Sequence, residues 1–275
     1  MSDMFLSHIR LYPIKACAGA DVQEARLDER GLHYDRRWML VNEQGMDLHQ
    51  FDYPQLASVV VELDDAGLLV QAPGMPQLHI PLQPQHSSPL IVNWYQGVSE
   101  ALPASDEADR WFRDFLRVSC RLVFMPESSQ HSVEPGYEID HELAGFTSFH
   151  YHLLNENSLD DLNQRLASPV PLERFRPNLV VAGAAAFAED SWRTVRISDY
   201  TFHVVKPCDR CAIITVDPER GIMTGKEPLT TLARYRTFDK KVLFGQYLLA
   251  EGVGTLRVGD VLQVLEENTS QNRAL

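Results

Sequence analysis

Short apolar-rich runs separated by turn residues fill the first third of the chain. SHIRLYPIK leads into CAGADVQEARLD, then RRWMLVNEQG, LASVVVELDDAGLLVQAP and QLHIPLQ. Such runs, bounded by Gly, Pro and Asp, predict β-strands. The DDAG at 64–67 lies between two Val/Leu-rich runs and predicts a hairpin turn. PLQPQHSSPLIVNW at 81–94 reads as a loop followed by another strand.

The period changes at 105–117, SDEADRWFRDFLR. Ala108, Trp111, Phe112, Phe115 and Leu116 fall on one helical face, and Ser105 or Asp106 is placed to cap it. CRLVFMP returns to strand character, and 128–150 has no clear period and predicts a loop. A second helix is predicted over 155–166, with Asn155 as N-cap and Leu159, Leu162 and Leu166 inward. Strands resume in RPNLVVAG, TVRISDYTFHVVKP, CAIITVDP and GTLRVGDVLQVL, and the last ten residues read as a frayed tail. Many strands with few helices predict a mainly β (α+β) chain of two β-barrel-like subdomains. The boundary is expected between Cys120 and Glu138, giving units of 1–120 and 121–275.

Composition narrows the function classes. The chain has 275 residues, 44% hydrophobic and 23% charged, which is ordinary for a globular protein. A formal net charge of −13 argues against broad nucleic-acid binding, since phosphate neutralisation needs concentrated Lys and Arg. No apolar run has the length of a membrane span, and the first residues lack the order of a secretory signal. Four cysteines make no disulfide framework, so a reducing cytoplasm is expected.

Two of those cysteines form a C-x-x-C step, Cys208 and Cys211, within VVKPCDRCAIITVDPERG. Zinc would need four ligands, yet Cys17 and Cys120 stand alone and His203 would have to complete the set. A redox dithiol favours a strand-to-helix junction, whereas CAIITV predicts a following strand. Two packed core cysteines are the bland alternative, because free Cys is often buried. Lys206, Asp209 and Arg210 argue for an exposed strand entry instead.

FRPNLVV at 175–181, EDSW at 189–192, KPCDRCAIITVDPERG and KEPLTTLARYR resemble the MOSC-domain proteins. LFGQYLL and GTLRVGDVLQVL continue the likeness, and LYPIKACAG with GLHYDRRWMLV resembles that family's N-terminal β-barrel domain. Within the family the chain resembles the mitochondrial amidoxime-reducing component and bacterial relatives conferring resistance to N-hydroxylated purines. The resemblance implies a molybdenum cofactor (Mo-molybdopterin) whose metal takes a single protein thiolate, here Cys211, as metal ligand and catalytic residue. A soft sulfur donor suits a metal already bound by sulfur. It also implies that Lys15, Arg36, Arg176, Asn178 and Arg210 bind the cofactor, through its phosphate and pterin edges. Arg36 rather than Arg37 is matched because it follows Asp35. The family carries a general label of pyridoxal phosphate binding as well.

Three departures fall near the expected pocket. Lys15-Ala16 stands where relatives have Lys-Ser. Thr147 and His150 occupy the Asp and Pro places of a Phe-Ala-Asp-x-x-Pro pattern, and His49 lies near a lost Arg. Some bacterial relatives continue into a ferredoxin-like domain, and no cysteine follows Cys211, so a separate electron-donor protein, ferredoxin-like or a flavoprotein, is expected. Its docking is expected through a local cationic patch around Lys206, Arg210 and Arg220. The implied activity is reduction of small N-hydroxylated substrates, with no nucleic acid and no membrane involved. The alternative is a carrier of molybdenum cofactor, or of its sulfur, without turnover.

Overall fold

A computed structural model of the protein describes residues 3–134 and 143–268. The predicted strand character holds, and the chain is mainly β. The largest sheet closes on itself. Its strands run in the order Tyr151–Asn155, Leu179–Ala182, Met4–Leu11, Val261–Glu267, Trp192–Ile197, Tyr200–Asp209 and Lys241–Ala250. Tyr151–Asn155 then pairs back onto Lys241–Ala250, with Leu153 opposite Gln246. Closure leaves no open edge along this ring. Leu6, Ile9, Leu153, Val195, Phe202 and Leu248 fill the interior.

Within this ring only Tyr151–Asn155 and Leu179–Ala182 run parallel. A parallel neighbour needs a crossover connection. The helix Glu156–Arg165 supplies it, capped by the Asn155 side chain accepting from the Asn157 N–H at 3.1 Å. Leu162 is buried, with Leu159 and Leu166 packed beside it.

The N-terminal part builds a second core. Trp38–Val41, Arg121–Phe124, Gly97–Pro103 and Leu90–Trp94 form one sheet, and Val60–Leu63, Gly67–Gln71 and Leu78–Pro81 another. The DDAG turn is a hairpin, with Leu63 opposite Leu68 and Asp64 Oδ1 accepting the Ala66 and Gly67 N–H groups. The helix Asp106–Leu116 is capped by Ser105 and lays Ala108, Trp111, Phe112 and Leu116 on this core. Each large apolar side chain so buried contributes about 1.5–3 kcal/mol.

Strands cross between the two cores. Met4–Leu11 sits inside the C-terminal barrel, between Leu179–Ala182 and Val261–Glu267. Arg121–Phe124, just past the expected boundary, pairs with Trp38–Val41 and Gly97–Pro103. Of the loop predicted at 128–150, residues 135–142, and with them one limit of the expected boundary, Glu138, lie outside the described residues. No helix among the described residues is long and apolar enough to cross a membrane.

One local expectation is corrected. The segment after Cys211 is a 3₁₀ turn, Ala212–Thr215, and strand pairing begins only at Val216. The Thr215 hydroxyl donates to Ala212 O at 2.8 Å, a local bond that competes with strand extension.

Candidate functional site

A cavity of about 1000 Å³ opens between the two cores. Lys15, Arg36, Arg176, Asn178, Arg210 and Cys211 all line it. They come from four separate stretches of chain, brought together by the strands just described.

Cys208 and Cys211 are treated differently by the fold. Cys208 is the penultimate residue of the Tyr200–Asp209 strand and is buried, while Cys211, past the strand's end, is exposed. Burial pushes the Cys208 thiol above its usual value, against the nearby Arg210 charge. It shares a hydrogen bond with Tyr247, whose own hydroxyl burial drives well above the usual range. All four cysteines are free thiols. Among the described residues no three His, Cys, Asp or Glu side chains converge. His203 lies on the barrel against Glu251 instead.

Arg210 holds the Cys211 turn. Its Nε and Nη2 donate to Phe244 O at 2.8 and 2.6 Å, and Nη1 donates to Phe175 O at 2.9 Å. Nη2 also lies 2.6 Å from His152 Nε2. Its guanidinium thus ties the loop to three neighbouring segments.

Arg36 and Arg176 both lie against one tyrosine ring. Their guanidinium carbons stand 4.5 and 4.4 Å from the Tyr12 ring centroid. Arg36 donates to Asp35, to Asn178 Oδ1 at 2.8 Å and to Arg176 O at 3.3 Å. Arg176 donates to Cys17 O at 2.5 Å. Burial, and then the Arg36 charge, lowers the Arg176 pKa to about 10. Two half-buried like charges against one ring favour an anion beside them. Arg37 turns away, donating to Met125 O and Glu127.

Asn178 is buried, and its amide is engaged with Arg10 O, Arg36 and the His152 N–H. It fixes Arg36 in place. Lys15 pairs with Asp47 at 2.5 Å and lies 4.7 Å over the Trp94 ring. Burial lowers its pKa, with Asp47 opposing.

Ala16, Arg36 and Arg176 have φ of 70°, 50° and 54°. Left-handed backbone at non-glycine residues is costly and gathers at binding sites. Of the departures, Ala16, His49 and Thr147 line the cavity, whereas His150 turns to Leu143 O at 2.6 Å.

Sequence reading missed His152, Tyr247 and Tyr12. His152 is buried on the cavity wall, and its pKa is held well below 6.5 by burial and then by Arg210. A histidine or tyrosine inside a strand carries no local mark that distinguishes a site residue from a core one. The stacked pair Phe149 and Tyr247, centroids 4.7 Å apart, gives the cavity an aromatic wall.

Two family models match the chain. The MOSC domain covers residues 140–263 and the MOSC N-terminal beta barrel domain residues 4–119. The chain is 35% identical to the Mus musculus mitochondrial amidoxime-reducing component 1, over 94% of this chain and 82% of that one. It is 37% identical to the Rattus norvegicus mitochondrial amidoxime reducing component 2, over 93% and 81%. It is also 32% identical to an Oryza sativa subsp. japonica molybdenum cofactor sulfurase, over 96% of this chain and 35% of that protein.

Proposed function

The chain belongs to the MOSC-domain family, with the MOSC N-terminal β-barrel as its partner domain, and from that premise we propose that it is a molybdenum-cofactor-dependent reductase of N-hydroxylated compounds. One observation carries this reading. The exposed Cys211 thiol and the paired guanidiniums of Arg36 and Arg176 line a single cavity.

The residues present fit the group. Cys211 offers a sulfur donor unencumbered by burial. Arg36 and Arg176, with Lys15 nearby, would hold the phosphate, and Asn178 keeps Arg36 oriented. Arg210 belongs to the cofactor site through the turn it braces. When bound, the cofactor supplies the two-electron chemistry that removes oxygen from nitrogen. The protein's residues do the rest. Tyr247 and Phe149 offer a flat apolar wall for a planar substrate and displace water from it. His152, held neutral, keeps Arg210 in place without a competing charge. Pyridoxal phosphate has no part in this reading.

The finer parts of the proposal are cytoplasmic residence, electron delivery by a separate protein and two β units that exchange strands, the first including Arg121–Phe124. A second reading, a carrier of molybdenum cofactor or its sulfur, draws support from the likeness to the rice sulfurase. Molybdenum content and dye-driven turnover of benzamidoxime or N-hydroxyadenine by the loaded protein separate the two. Turnover supports the reductase. Bound molybdenum with no turnover of either substrate points to the carrier.

A further inference from the structure

A second groove, of about 600 Å³, lies on the other side of the Cys211 turn. Asp209, Arg210, Ala212 and Lys241 line both it and the main cavity. Lys226 and Lys240 complete its cationic side, both exposed. Among its lining residues Asp209 is the one carboxylate, 4.0 Å from Lys241. Glu227, beside Lys226, turns its carboxylate to accept the Thr231 N–H at 3.0 Å.

The groove has an apolar margin as well. Met223 lines it, Ile222 adjoins Met223, and Phe238 pairs with Lys241 across a hairpin. All three are exposed, at 39%, 46% and 40%. Cations around exposed apolar side chains match the core-and-rim make-up of a protein interface better than a small-anion site. The patch expected around Lys206, Arg210 and Arg220 is arranged otherwise. Lys206 is held by Glu134 at 2.8 Å, and the Arg210 guanidinium turns inward.

We propose that this Lys226–Lys240–Lys241 groove is where an acidic one-electron carrier protein docks, with only the Asp209–Ala212 turn between it and the site. The proposal rests on the reductase reading above. On a chain of net charge −13, an acidic partner meets net repulsion and is drawn to this cationic groove. Each docking event passes one electron and leaves the carrier oxidised. Two events and two protons break one N–O bond, turning R–NHOH into R–NH₂ and water.

The test measures binding of three probes to the full-length loaded protein at low and high salt. They are an acidic two-iron ferredoxin, an acidic flavodoxin and, as an opposite-charge control, a basic cytochrome c. The protein with Lys226→Glu and Lys240→Glu is measured beside the unaltered one. Salt-sensitive binding of at least one acidic carrier, weakened about tenfold or more by the double variant, is expected. Dye-driven turnover should be the same in both proteins. Equal affinity of the two proteins, no salt-sensitive binding of either acidic carrier, or binding of the cytochrome as tight as theirs overturns the proposal. Absence of dye-driven turnover from both proteins counts against the reductase reading instead, and the binding comparison stands apart from it.

Discussion

Arg210 Nη2 lies 2.6 Å from His152 Nε2, across 58 residues of sequence. A guanidinium has only donors, so the imidazole accepts, and its proton sits on Nδ1. The same Arg210 reaches two backbone carbonyls. Lysine cannot span three such partners from one compact ammonium. Arg210→Lys should therefore lower thermal stability and loosen the Cys211 turn. Each buried acceptor left without a partner costs about 1–3 kcal/mol. A Tm equal to that of the unaltered protein counts against this bracing role.

Gly245 stands against the same pair. A Cβ there would meet His152 Nε2 at 2.5 Å and Leu153 O at 2.8 Å, and its φ is +80°. Left-handed strain alone costs about 1–3 kcal/mol, and the contact displaces His152 in addition. Gly245→Ala should lower Tm and also reduce molybdenum retention, because the shifted histidine moves Arg210. A folded variant with full metal content argues that the turn is held some other way.

Two buried histidines set an acid limit. His150 is pushed from 6.5 to about 4 by burial, and His152 well below 6.5 by burial and then Arg210. In the unfolded chain both bind protons as pH falls through 6.5, while in the folded chain they do not. Their contribution is complete above about pH 6.5 and is lost as pH falls toward 4, by up to about 1.4 kcal/mol per unit for each histidine. Denaturant melts at pH 7, 6 and 5 should show a steep fall that His150→Leu makes shallower. Equal slopes for the two proteins contradict the assignment.

The two cysteines separate by burial. Cys211→Ala should leave the fold within about 0.5 kcal/mol, as for other exposed substitutions, yet abolish reduction. Cys208→Ala removes the Tyr247 partner and a buried thiol, so it should lose stability while keeping partial activity. Metal content and turnover of both variants, side by side, check this. Full activity in Cys211→Ala would sink the molybdenum reading.

Arg36→Ala and Arg176→Ala should each weaken retention of the pterin. Loss of one charge-assisted hydrogen bond is about 1.5–3 kcal/mol, or roughly ten- to a hundred-fold in affinity. Arg37→Ala should instead cost stability, because its guanidinium holds Met125 O and Glu127. Retention of full pterin content in both cavity variants would place the anion elsewhere.

The elements legible in the sequence are those whose physics is local. Eleven residues with apolar side chains at helical spacing and a Ser cap give Asp106–Leu116, and DDAG gives its hairpin, because both patterns lie within a few turns of chain. The motifs around Lys15, Arg36, Arg176 and Cys211 could likewise be picked out one by one. What joins them was decided at long range. Met4–Leu11 enters a barrel built mostly from residues after 150, and Tyr151–Asn155 closes it on Lys241–Ala250. Side-chain direction was settled there too. Arg36 and Arg37 are adjacent in sequence, yet φ of 50° at Arg36 sends one toward Tyr12 and Asn178, while the other turns to Met125. His152 and Arg210 meet only because their strands flank Lys241–Ala250, with His152 opposite Tyr247 and Asp209 opposite Leu243. Composition and period set which residues form strands and helices; the register of distant strands, set by packing a closed barrel, set which charges share a cavity.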